Sequence, residues 1–169
     1  MSLKPLKIKK RLDIIKSDPE SIYKYATKKL EHRWVEAEPY LLKDPYIAVG
    51  YASDFGIQKW PNLEKEIIKR KDKLAAKLYI KFVARRERVP ELEHLFIGDP
   101  DYVNAYVYEI LGGPWPEGEE TLLQKPEYAT RYVIDFKDKR WPKLEQILKS
   151  GYPDLWNRYK EHFKSIYKM

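Results

Sequence analysis

At 169 residues the chain suits one domain with a real core and is short for two. With 43% hydrophobic and 14% aromatic residues it is no disordered tail, and without cysteine it holds no disulfide framework, thiolate nucleophile or cysteine-based metal site. The formal charge is +7, and the cysteine-free composition fits a reducing, cytoplasmic setting. The opening MSLKPLKIKKRLDII is basic but has no apolar core of signal-peptide length, and no stretch reaches the roughly 20 apolar residues that span a bilayer, so no membrane association is expected.

Taken in chain order, residues 6–15 read as a lone helix capping one end, since Leu12, Ile14 and Ile15 echo Leu144, Ile147 and Leu148 further on. Five copies of a unit of about 26 residues follow, at 18–41, 44–67, 71–96, 99–122 and 125–148. Asp18, Asp44 and Asp99 each precede a proline, a pairing that caps a first helix while the proline takes a position where no amide donor is missed. Within that helix Ala48, Tyr51, Ala52 and Phe55 fall on one face of a 3.6-residue period, and Val103, Tyr106, Val107 and Ile110 repeat the face. Trp-Pro at 60, 115 and 141 then resets the chain, because proline disfavours helix in the residue before it and opens a helix well. Leu63 with Ile67, or Leu144 with Ile147 and Leu148, gives the short second helix its buried side.

The copy at 71–96 is deviant. Trp34 and Trp60 are 26 residues apart, as are Trp115 and Trp141, whereas Trp60 to the equivalent Val89 is 29, and the aspartate-proline, tyrosine and tryptophan all read as lost. Residues 149–169 close the chain as a degenerate first helix with Trp156, Tyr159 and Phe163 on one face. A hairpin this short cannot bury its apolar stripe alone, so each must lean on the next. The expectation is an all-α protein, an α-solenoid of about five two-helix repeats with partial helical caps at both ends, forming a single domain over 1–169.

The frame D-P-x-x-A-x-x-Y-A followed by R-W-P-x-x-E resembles the short helical repeats found in proteins of tailed bacteriophages, and is similar in rhythm to leucine-rich-repeat-variant solenoids. The resemblance covers residues 15–148. It implies an accessory protein made inside an infected bacterium, a scaffold or binder without a reaction of its own.

The residues themselves point the same way. His32, His94 and His162 share no metal-ligand spacing, and Gly112-Gly113 reads as a turn, not a phosphate loop. Glu38, Glu64, Glu93, Glu119 and Glu145 recur at one repeat position, where an acid in the first turn meets the positive end of the helix dipole. The tryptophans read as packing wedges before they read as a stacking ladder for bases. No enzymatic activity, cofactor or metal is expected.

Charge is laid out in blocks. From Lys65 to Arg88 there are ten Lys or Arg side chains, and from Glu91 to Glu120 there are none against eight acids. A nucleic-acid binder spreads positive charge along its track, which the acidic block interrupts, whereas a protein partner with a bipolar surface suits it. The candidate binding residues are therefore Lys69, Arg70, Lys73, Lys77, Lys81, Arg85, Arg86 and Arg88 on the basic side, with Glu117, Glu119 and Glu120 on the acidic side. A non-catalytic module that docks a host or phage protein is the leading expectation, with a host-takeover or anti-defence role by analogy. The alternative is a nucleic-acid binder that sets the basic third copy against phosphates.

Overall fold

In a computed structural model of the protein, residues 13–15 and 17–167 are described, and among them the chain is helical with no β-strand. Contacts divide it into two compact units, Met1–Leu95 and Phe96–Met169. The expected end cap at 6–15 lies outside the described residues save for a helical turn at 13–15.

The first unit opens with α1 (Pro19–Tyr25), which runs on as a wide π-type turn (Ala26–Leu30). A tight turn (Val35–Ala37) leads into α2 (Glu38–Leu41), and α3 (Pro45–Asp54) and α4 (Pro61–Arg70) follow. Then come α5 (Lys73–Leu78), extended by a π-type turn (Tyr79–Val83), and α6 (Pro90–Glu93). Within this unit α3 lies between α1 and α5 and packs on both. The second unit holds α7 (Pro100–Ala105) with its π-type turn (Tyr106–Leu111), and a turn (Pro116–Gly118) running into α8 (Glu119–Leu122). After these come α9 (Pro126–Phe136), α10 (Pro142–Gly151) and α11 (Pro153–Tyr167), with α9 packed on α11.

Asp18, Asp44 and Asp99 each accept from an amide in the first turn of α1, α3 and α7, as the aspartate-proline pairs predict. Ala48, Tyr51 and Ala52 are buried on α3, with Phe55 half-buried, and Leu63 and Ile67 are buried on α4. Full burial of a leucine or isoleucine such as Leu63 or Ile67 contributes about 1.5–3 kcal/mol.

The third copy is less deviant than its sequence. Asp72, without a proline after it, still caps α5 by accepting from the Ala75 amide at 2.9 Å. Tyr79 stands seven residues after it, the spacing that separates Asp18 from Tyr25, Asp44 from Tyr51 and Asp99 from Tyr106. The frame slips at the joints instead. Two extra residues lie between Trp60 and Asp72, and one more sits in the turn after α5. There the Arg86 amide reaches back six residues to the Ile80 carbonyl, where Glu31, Ile57 and Gly112 reach back five. Arg85 and Arg86 absorb the extra residue with left-handed backbones, φ 52° and 68°. At the C-terminal end Tyr159 follows Tyr152 by the same seven residues, so α11 keeps the first-helix interval with a tyrosine in place of the capping aspartate.

Candidate functional site

One hydrogen bond ties neighbouring copies together. The Trp34 amide donates to the Tyr51 hydroxyl at 2.6 Å, Trp60 to Tyr79 at 2.8 Å, Trp115 to Tyr132 at 2.9 Å and Trp141 to Tyr159 at 2.7 Å. The tryptophan backbone, held extended by the helix opening after it, has no intrahelical acceptor for that amide, so the tyrosine of the following copy supplies one. Trp34, Trp60 and Trp115 are buried, which makes them wedges of the core and removes them as a ladder for bases.

The recurrent glutamate sits beside this bond. Arg33 grips Glu38 with both arms of its guanidinium, one contact at 2.9 Å. Arg88 holds Glu93 at 2.6 Å and Arg140 holds Glu145 at 2.5 Å. In the fourth copy Pro114 stands where those arginines do, and Lys137 comes across from the next copy to meet Glu119 at 2.7 Å. The tyrosine closes the cluster: Tyr132 donates to Glu119 at 2.9 Å, Tyr159 to Glu145 at 3.0 Å, and Tyr79 to Glu64. Arg140, helped by Tyr159, holds the Glu145 carboxyl below the usual carboxylate range, while burial first and Glu145 among the rest push the Tyr159 phenol up to about 12. Glu64 differs. The residue before its tryptophan is Lys59, and no cation pairs with Glu64 among the described residues. Beside it opens a polar pocket of about 510 Å³, lined by Gln58, Lys59, Tyr79, Glu87 and Arg88 among others.

Several of the charged residues expected to bind a partner are engaged within their own unit. Arg88 is held by Glu93, and Arg70 is tied to Glu66 at 2.8 Å and to the carbonyl of Lys43 at 2.9 Å. Lys69 lies 3.5 Å from Glu66. Lys73, Lys77 and Lys81 are half-buried along α5 and its extension, and Arg85 and Arg86 are exposed in the turn that follows. On the acidic side Glu119 belongs to the Tyr132 cluster, Glu120 pairs with Lys143 at 2.8 Å, and Glu117 is exposed. The opposed charge blocks thus partly close on neighbouring copies.

The structure instead brings together a groove that charge reading missed. It crosses α1, α3 and the extended α5, has a volume of about 840 Å³, and is lined mainly by apolar atoms from Tyr23, Tyr46, Ile47, Val49, Leu78 and Phe82. Tyr46 and Phe82 are 56% and 50% exposed. At its centre the Tyr23 hydroxyl donates to Asp54, and Glu20 holds Lys24 at 2.6 Å, so the polar groups of the floor are largely paired. Sequence periodicity singles out neither Tyr46 nor Phe82. Only the packing of three first helices in succession reveals that they face outward.

Of the histidines, His32 meets the Arg33 carbonyl at 2.8 Å and His162 the Lys137 carbonyl at 3.3 Å. Among the described residues no three side chains converge as a metal site, and no helix is long and apolar enough to cross a membrane. No protein-family model, curated protein or solved structure matches the chain.

Proposed function

We propose that the chain is a non-catalytic helical-repeat module that docks a protein, and that the groove over α1, α3 and α5 is where the partner lies. The observation that carries this reading is the exposure of Tyr46 and Phe82 in the lining of a mainly apolar groove where Tyr23 is paired with Asp54 and Glu20 with Lys24. Contiguous apolar surface of this kind lowers its free energy by being covered, and an amphipathic segment with two or more apolar side chains is the covering chemistry that fits. The resemblance of the repeat to those of tailed-phage proteins supports an accessory role inside an infected bacterial cell, against a host or phage protein.

The basic stretch 64–88 supports a second reading, phosphate binding, through the exposed Arg85 and Arg86. Arg70 and Arg88 count against it, because both are already engaged within the protein. Two variants separate the readings. A partner is identified by cross-linking in cells, purified, and titrated against the wild type, against Tyr46→Asp with Phe82→Asp, and against Arg85→Glu with Arg86→Glu. The groove variant is expected to weaken binding by at least about a hundredfold, the order seen when central apolar anchors are lost, and the arginine variant to leave it within a few fold. Unchanged binding by the groove variant overturns the proposal. A nucleic-acid affinity that collapses as salt rises and is lost with Arg85 and Arg86 establishes the second reading in its place.

A further inference from the structure

Four of the five recurrent glutamates are closed by a basic side chain of the protein itself: Glu38 by Arg33, Glu93 by Arg88, Glu119 by Lys137 and Glu145 by Arg140. The fifth, Glu64, receives the Tyr79 hydroxyl as its siblings receive theirs, but the place of the arginine is taken by Lys59, which is exposed and makes no ion pair with it. Where three of the other copies hold a guanidinium, this one has a polar pocket of about 510 Å³. Its charged lining consists of Glu64, Glu87 and Glu91 against Lys59 and Arg88, and the Arg88 guanidinium is already bound to Glu93.

We propose that this pocket receives an arginine side chain carried by a partner protein, which completes in trans the pair that the other copies complete in cis. A guanidinium is favoured over an ammonium because three of the four closed sites use arginine, each with two nitrogens of the fork on one carboxylate. The Tyr79 hydroxyl holds one oxygen of Glu64 in place, and the carboxylate keeps acceptor capacity for the incoming fork. This inference rests on the protein-docking reading above, but it concerns a different face with different residues, so each fails separately.

The test uses the full chain and N-acetyl-arginine-N-methylamide as probe, with the blocked citrulline, the blocked lysine and free arginine beside it. Binding is followed by chemical-shift changes at the Glu64 amide and the Tyr79 ring. The blocked arginine is expected to bind, and the uncharged, isosteric citrulline to bind at least about tenfold more weakly, the loss expected when a charge-assisted pair is removed. Glu64→Gln, whose amide oxygen still accepts from Tyr79, is expected to lose the probe to the same extent. Lys59→Arg rebuilds the internal pair of the other copies. It is expected both to raise the melting temperature and to exclude the probe. If Lys59→Arg binds the probe as the wild type does, or if citrulline competes equally, the pocket is no guanidinium site. Tighter binding of free arginine than of the blocked form would make the occupant a small molecule and overturn the partner assignment. Loss of the probe in Lys59→Arg with intact binding to the groove partner would uphold this site whatever segment fills the groove.

Discussion

The tyrosine seven residues after a helix cap has two tasks, and Tyr51 and Tyr132 perform both. Its ring lies against the tryptophan of its own copy, 6.2 Å between centroids for Tyr51 with Trp60 and 6.3 Å for Tyr132 with Trp141. Its hydroxyl meanwhile accepts from the amide of the preceding copy's tryptophan and, in three copies, donates to the glutamate. Tyr132→Phe removes only the oxygen and leaves the buried Trp115 amide without its acceptor, so the loss should be about 1–3 kcal/mol in denaturant unfolding. The pH dependence follows from the same cluster. The Tyr159 phenol is raised above its unfolded value near 10, so its contribution is complete below about pH 10 and fades as pH rises towards about 12. The Glu145 carboxyl is depressed, so its contribution is present above its unfolded value, about 4.3, and fades as pH falls through the lower folded one. Equilibrium unfolding across pH should therefore show a plateau bounded on both sides. Glu145→Gln should flatten the acid side.

At the level of helices, the copies are alike where they cap and differ where they join. Gly118 marks one joint. A β-carbon there would lie 2.5 Å from the Trp115 ring and 2.7 Å from Val103, closer than any side chain can approach, so the turn into α8 needs glycine. Gly118→Ala should cost about 1–3 kcal/mol as the Trp115 ring or the backbone shifts, read as a lower midpoint in urea with an unchanged slope. The second helices are too short to stand alone, α2 and α8 being a single turn each. They persist because the carboxylate at their first turn is fastened to a base and because Leu41 and Leu122 are buried. The helix dipole invoked from sequence is a small addition to that pairing.

Over the whole chain, sequence periodicity read the helical class, the Asp-Pro caps, the buried tyrosine face and the tryptophan wedges correctly, because each depends on neighbours three to nine residues away. It misread the third copy by following the tryptophan column, whose spacing absorbs every joint insertion, when the Asp72 to Tyr79 interval was the invariant one. It missed the groove for a different reason: exposure of Tyr46 and Phe82 is set by which helices succeed one another in space, and composition carries no trace of that. Nor does composition reveal that Arg70, Arg88, Glu119 and Glu120 turn to partners within the protein, up to 28 residues away. The final helix carries a prediction at this scale. Ending the chain at Gly151 removes Tyr159 and Phe163, orphaning the Trp141 amide and one acceptor contact of Glu145. Thermal melting followed by circular dichroism should shift down by more than Tyr159→Phe shifts it.

The tyrosine bond also has a direction in time. Each hydroxyl lies 17–19 residues downstream of the amide it secures, so a ribosome releases the tryptophan well before its latch. Each of these four copies must wait, unsealed, for the one behind it. Pausing on the codons just after a tryptophan should therefore lengthen the protease-sensitive interval of the nascent chain, while a pause placed after the next tyrosine should not.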